Sequence, residues 1–293
     1  MCKCFQNLAL VLLVFVLVFS VFQHSAAAER PQVGLALSGG AALGLAHIGV
    51  ISVLEEHGIP VDIVTGTSAG AMIGALYASG VPIEAIENAA LGLRWTDLAS
   101  APALLDLGFF STRGLERFLT NNGVAEDFAD VQRQLAMVAT DLVTGRPVVL
   151  DSGPVARAAA ASAAIPVLFI PVEQEGQLLV DGGLADNLPD RLARELGAEL
   201  VIAVDISSDF RFSEAPEGKT EVGLRAYNIM MMYHSPPTAA DVVVRPELGG
   251  LSGVDLEAVP EIIARGRQAA EAVIADILVL FKDFERSPDK GGL

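Results

Sequence analysis

Three short segments of this chain combine residue types that chemistry can use. Gly66-Thr67-Ser68-Ala69-Gly70 is a G-x-S-x-G pattern placed between an apolar run and a small-residue helical stretch. A serine on such a strand-to-helix turn is lifted clear of its neighbours. The glycines leave the turn unobstructed, and the positive end of the following helix favours an alkoxide or oxyanion. The same pattern also serves as a plain Ser-Gly turn opening a helix. Ser38-Gly39-Gly40-Ala41-Ala42-Leu43-Gly44 is a second strand-loop-helix junction, whose small residues let successive N–H groups converge on an anion. It has neither the G-x-G-x-x-G of a dinucleotide loop nor a Gly-Lys-Ser/Thr triplet, so a phosphate and an oxyanion are both open as its ligand. Asp181-Gly182-Gly183 follows the run Leu178-Leu179-Val180 and would present a carboxylate at a strand end. Asp141 and Asp205 also end apolar runs, and spacing does not choose among the three. Each also suits an N-cap or a turn.

Histidine is scarce, at 4 residues. His24 lies in the N-terminal segment, while His47 and His57 precede the serine. Only His234 fits the Ser, Asp, His order of an α/β-hydrolase triad, and it sits beside Met230 to Tyr233 with no pattern of a catalytic loop. No His, Cys and carboxylate residues fall at ligand spacing, so neither a metal nor a cofactor is expected.

The elements that would position these residues are short apolar runs alternating with helical patterns. Strands are expected at Val33 to Leu37, Ile63 to Thr65, Leu135 to Ala139, Val148 to Leu150, Leu178 to Val180, Leu200 to Val204 and Val242 to Val244. Helices are expected from Leu45 to a stop at Gly58, at Ala69 to Ala78, at Pro189 to Leu196 and at Glu261 to Lys282. Continuous apolar strands alternating with helices predict an α/β fold, with a mostly parallel central sheet and helices on both faces. Trp95 to Ser111 reads as an apolar candidate lid, and Ser207 to Thr220 as an exposed polar loop.

Of the 293 residues, 52% are hydrophobic, ample for a sizeable core. The formal net charge of −17 argues against a nucleic-acid partner and against charge-driven docking to anionic lipid. Contact with lipid would have to be apolar, with Leu104 to Phe110 and Ile229 to Tyr233 as candidate patches. The two cysteines are Cys2 and Cys4, so the body of the chain has no disulfide framework and no catalytic thiol. Lys3, the apolar run Leu8 to Phe22 and Ala26-Ala27-Ala28 have the order of a secretory signal. As a helix that run would span about 22 Å, short of the ~30 Å hydrocarbon core. The expected organisation is a signal at residues 1–28 and one domain at 29–293, with the product periplasmic or extracellular.

Together the three motifs resemble the patatin-like phospholipase family. Gly44 to Val50, Ala139-Thr140-Asp141, Ser162 to Pro166 and Asp181 to Pro189 (DGGLADNLP) are also similar to it, so the likeness runs from about Val33 to Gly266. The resemblance implies a three-layer sandwich and a serine lipid acyl hydrolase of the phospholipase A or lysophospholipase type. It implies Ser68 as nucleophile, Asp181 as its base, and an oxyanion hole at Gly39, Gly40 and Ala41. Gly44, Gly66, Gly70, Gly182 and Gly183 are the accompanying motif glycines. The implied partner is a phospholipid or lysophospholipid at a membrane or micelle surface. Two positions depart from the family's usual pattern: Ala41 stands in place of a third glycine, and Leu43 in place of Arg or Lys. The competing readings are a Ser-Asp-His esterase using His234 and a patatin fold that binds lipid with little catalysis.

Overall fold

The computed structural model describes residues 30–98, 107–207, 215, 218–233 and 238–286. The expected signal at 1–28, His234 and residues 104–106 of one candidate lipid patch lie outside them. The strands are β1 (Val33–Leu37), β2 (Ile63–Thr67), β3 (Gly108–Phe110), β4 (Gln134–Asp141), β5 (Pro147–Leu150), β6 (Val167–Phe169), β7 (Val172–Gln174), β8 (Gln177–Asp181), β9 (Leu200–Val204) and β10 (Val242–Val244). The helices are α1 (Ala46–Glu56), α2 (Ala69–Ala78), α3 (Ile83–Leu91), α4 (Trp95–Leu98), α5 (Arg113–Asn121), α6 (Val155–Ser162), α7 (Asp190–Glu195), α8 (Lys219–Tyr233) and α9 (Val259–Arg286). Every expected strand is present. The described ends of the candidate lid are α4 and β3, and the segment expected as a polar loop already enters α8 at Lys219.

Alternation along the strands builds three layers, as expected. Val33, Leu35 and Leu37 of β1 and Leu200, Ile202 and Val204 of β9 point into the large core shared with α1, α2 and α9. The intervening positions are smaller. Ala36 and Ala203 pack with Leu188, Val201 packs with Ala193 of α7, and a Cβ at Gly34 would lie 2.7 Å from the Cβ of Ala198. Both faces of the sheet are therefore dry at β1 and β9, which is why these strands read as unbroken apolar runs. Among the described residues no helix is long and apolar enough to cross a membrane.

The eight-stranded sheet has the order β10-β9-β1-β2-β4-β8-β7, with β5 also paired to β4. β10, β9, β1, β2 and β4 are parallel. Met137 and Val138 of β4 pair with β2 on one edge and with antiparallel β5 on the other. Ala139 and Thr140 pair with β5 and with antiparallel β8. Since a strand has only two edges, β8 shares the edge that β2 occupies, and the two strands run head to head. β2 ends at Thr67 opposite Val138, and β8 ends at Asp181 opposite Ala139. This meeting of two strand ends juxtaposes residues 68 and 181.

Candidate active site

Ser68 follows β2 directly and caps α2, with φ 55° and ψ −120°, a conformation that non-glycine residues rarely adopt. Neighbours hold it there. The Ser68 N–H donates to Ser162 Oγ at 2.9 Å, and the Ser162 hydroxyl donates to the Val138 carbonyl at 2.6 Å. A Cβ at Gly70 would lie 2.3 Å from the Leu37 carbonyl oxygen, and one at Gly66 would lie 2.6 Å from that of Gly70. Only glycine lets this elbow close against β1. The first N–H groups of α2 leave their positive end at the serine.

At the facing strand end, Asp181 is fully buried. Ser68 Oγ donates to Asp181 Oδ2 at 2.6 Å, and the Gly183 N–H donates to Oδ1 at 2.9 Å. The Asp181 N–H donates to the Ala164 carbonyl at 2.9 Å, and Thr140 Oγ1 donates to the Asp181 carbonyl at 2.9 Å. A Cβ at Gly182 would lie 2.0 Å from the Val138 carbonyl oxygen, so glycine is required where this turn lies on β4. Burial raises the Asp181 pKa from 3.8 to about 6, with donors at Ser68, Tyr227 and Gly183 pulling the other way. The Tyr227 hydroxyl is buried outside regular hydrogen-bond geometry. Burial and the neighbouring Asp181 charge push its pKa well above 10, so it stays protonated.

The two other candidate carboxylates are turn residues. Asp141 accepts from the Val143 N–H at 3.1 Å and from Thr144 Oγ1 at 2.7 Å. Asp205 accepts from the N–H and the hydroxyl of Ser207 at 3.1 and 2.7 Å. The described histidines are engaged elsewhere: His57 Nδ1 meets the Val53 carbonyl at 3.0 Å, and His47 Nε2 meets the Ser38 carbonyl at 2.8 Å. A carbonyl only accepts, so the His47 proton is on Nε2. Burial lowers the pKa of His47 to about 4 and keeps the ring neutral near pH 7.

That histidine braces the glycine-rich loop, which turns through a 3₁₀ segment at Ala41–Leu45. Ser38 Oγ accepts from the Ile206 N–H at 2.9 Å, and the Ser38 N–H donates to the Val204 carbonyl at 3.1 Å. One expectation needs correction. The Gly39 N–H, expected as an oxyanion donor, instead donates to the Asn187 carbonyl at 3.2 Å. The reason is the loop after Asp181, which packs on the glycine-rich loop so closely that a Cβ at Gly39 would lie 2.6 Å from Asn187 Oδ1. The Gly40 and Ala41 N–H groups have no acceptor among the described residues, and both residues line one cavity with Ser68. Gly44 couples this loop to the elbow, since a Cβ there would lie 2.3 Å from that of Ala69.

Ala41, where the family usually has glycine, sits at φ +51°. Left-handed alanine costs about 1–2 kcal/mol, and the extra freedom of an unfolded glycine returns about 0.4–1 kcal/mol of that. Ala41→Gly should therefore raise unfolding free energy by about 0.5–1 kcal/mol, measured by denaturant titration.

The cavity holds about 470 Å³ and is walled by side chains such as Leu43, Met72, Leu76, Leu115 and Phe169. Leu43 is 4% exposed, so it forms wall rather than surface. Trp95 and Val254 also line the cavity, and Trp95 Nε1 donates to the Val254 carbonyl at 2.9 Å. Ser162, His47 and Asn187 fall in stretches that carried the family likeness, but no local pattern marks a role for them. Nothing in sequence marked Arg225 and Tyr227 of α8, which also line the cavity.

The sequence profile of the patatin-like phospholipases matches residues 35–194. The chain belongs to that family. Lysophospholipase nte1 of Aspergillus oryzae is 33% identical over 233 residues, which are 76% of this chain and 15% of that protein. Lysophospholipase NTE1 of Pyricularia oryzae is 35% identical over 236 residues, with the same coverage of 76% and 15%. The chain thus spans 15% of the length of these curated relatives. Among solved structures, VipD from Legionella pneumophila superposes with a TM-score of 0.58 at 15% identity, covering 85% of this chain and 67% of that one. At that identity the likeness concerns the patatin fold alone.

Proposed function

We propose that this patatin-like protein is a serine hydrolase of lipid acyl esters, of the phospholipase A or lysophospholipase type, working through a Ser68–Asp181 dyad. The observation that carries the reading is the direct 2.6 Å hydrogen bond between Ser68 Oγ and Asp181 Oδ2 beside an apolar cavity. With the two side chains in contact, the serine proton passes straight to the carboxylate without an intervening imidazole. As the proton leaves, Oγ bonds to the ester carbonyl carbon, and the carbonyl oxygen takes up the negative charge. The Gly40 and Ala41 N–H groups are the donors for that oxyanion. Collapse breaks the ester bond, and Asp181 returns the proton to the departing alcohol. Asp181 then takes a proton from water as the water oxygen bonds to the acyl carbon; collapse of this second intermediate breaks the bond to Ser68 Oγ, Asp181 returns the proton to that oxygen, and the fatty acid leaves.

The apolar cavity suits the acyl chain. At about 470 Å³ it falls in the range of ordinary small-molecule sites. A single-chain substrate agrees with the names of the relatives. Export by residues 1–28 and contact with a membrane or micelle surface belong to the same reading. Leu107, at 67% exposed, and Phe109, at 47%, support the first of the candidate lipid patches, and exposed Ile229 and Met230 support the second. Apolar contact is the mode open to a chain of net charge −17.

A base must be unprotonated to act, and burial holds Asp181 near 6. For a soluble short-chain ester, log kcat/KM should climb with unit slope to an inflection near pH 6 and stay flat to pH 8. An acid limb centred near pH 4 would mean that a less buried carboxylate is the base.

A further inference from the structure

Among the described residues that line the cavity, Arg225 carries the single charged side chain. It sits half-buried on α8, two residues before Tyr227, the phenol packed beside Asp181. Asn228, one turn on from Arg225, lines the same cavity and adds a neutral polar group. Most of the remaining lining is apolar, Leu43 of the glycine-rich loop included. A chain of net charge −17 repels anions at long range, so an anionic substrate needs a local cation. Arginine is suited to that task. Its planar fork matches two phosphate oxygens at once, and weak hydration lowers the cost of placing it against carbon. Arg225 already has an interaction within the chain, but a guanidinium offers five N–H donors, so one partner does not exhaust it.

We infer that Arg225 binds the phosphate of the substrate headgroup, so that the site selects single-chain acyl esters bearing phosphate over neutral ones. This rests on the hydrolase reading above and adds to it the residue that would read the phosphate. Acyl-chain burial would be shared by all substrates of equal chain length, whereas the Arg225 contact would be made only by those with phosphate.

The test compares kcat/KM for monoacylglycerol, lysophosphatidylcholine and lysophosphatidic acid of one acyl length, in wild type, Arg225→Gln and Arg225→Lys. Losing a charge-assisted hydrogen bond costs about 10–100-fold. Arg225→Gln should lose that much on both phosphate esters and less than about threefold on monoacylglycerol, with Arg225→Lys intermediate because it keeps the charge without the fork. Equal losses on all three substrates in the correctly folded lysine variant would make Arg225 structural and overturn the inference. Inorganic phosphate added to the monoacylglycerol assay should not inhibit. Inhibition that disappears in Arg225→Gln would reassign the site to free phosphate and also overturn it. Wild-type turnover with no preference among the three esters would sink the headgroup role and leave the hydrolase standing. Absence of turnover on every ester would remove the hydrolase reading, and this inference with it.

Discussion

Replacing Ser68 by alanine should lower kcat on a short-chain ester by about 10⁴-fold or more, and Asp181→Asn should lower it by about 10²–10⁴-fold. The two losses have different causes. Without Ser68 Oγ there is no atom to carry the acyl group. With asparagine at 181 the serine keeps its position, because an amide can accept from the Gly183 N–H and donate to Ser68 Oγ, but it cannot take the proton. Combining the two changes should cost little more than Ser68→Ala alone, since both remove the same step. His234→Ala should change kcat less than about tenfold, because the dyad gives imidazole no general-base work. A loss in His234→Ala equal to that in Asp181→Asn, in folded protein, would favour the triad instead. Steady-state kinetics with a chromogenic ester, alongside circular dichroism, checks all four variants.

The second large effect is on stability, and it has the opposite sign for the same residue. Asp181 has a pKa of about 6 in the folded chain against an ordinary value of 3.8. Between those values the folded state holds a proton that the unfolded state has released. Stability therefore falls as pH rises from about 4 through 6, and the favourable contribution is complete only below 3.8. Once the carboxylate is ionised in its buried site, the loss is about 3 kcal/mol. Asparagine does not titrate. Asp181→Asn should match wild type near pH 3.5 and exceed it by about 3 kcal/mol at pH 8, or about 6–12 °C in Tm. Thermal unfolding of both proteins across that pH range measures the difference. A variant less stable than wild type at pH 8 would show that the ionised carboxylate is well solvated where it sits.

Ser68 and Asp181 were legible in sequence through glycine-bearing motifs and the family resemblance they carry, whereas spacing alone left Asp141 and Asp205 open beside Asp181. Ser68 and Asp181 each sit where a chain must turn against backbone, and Gly70 and Gly182 record that requirement in residue type. The strands were visible because burial on both faces leaves apolar runs. What sequence did not reveal is how the two strand ends find each other. Leu178 to Val180 looks like any other buried run, and its antiparallel placement on the β2 edge of β4 is a matter of register, which no local pattern encodes. The misassigned Gly39 amide has a similar origin. Its acceptor is the Asn187 carbonyl, 148 residues along the chain, so its engagement was invisible in the loop itself. Tyr227 and Arg225 were missed for want of a pattern. They lie between a stretch read as polar loop and one read as an apolar patch, and only the packing of α8 brings them to the cavity.

In the proposed chemistry Ser68 carries the acyl group and Asp181 activates it directly. The most direct measurement is intact-protein and peptide mass spectrometry after brief exposure of the folded full chain to a fluorophosphonate. One adduct is expected, on Ser68, forming at a rate that rises through pH 6 and that collapses in Asp181→Asn while surviving in His234→Ala. An adduct on another serine, or labelling of Ser68 that is indifferent to Asp181 and lost with His234, would contradict it.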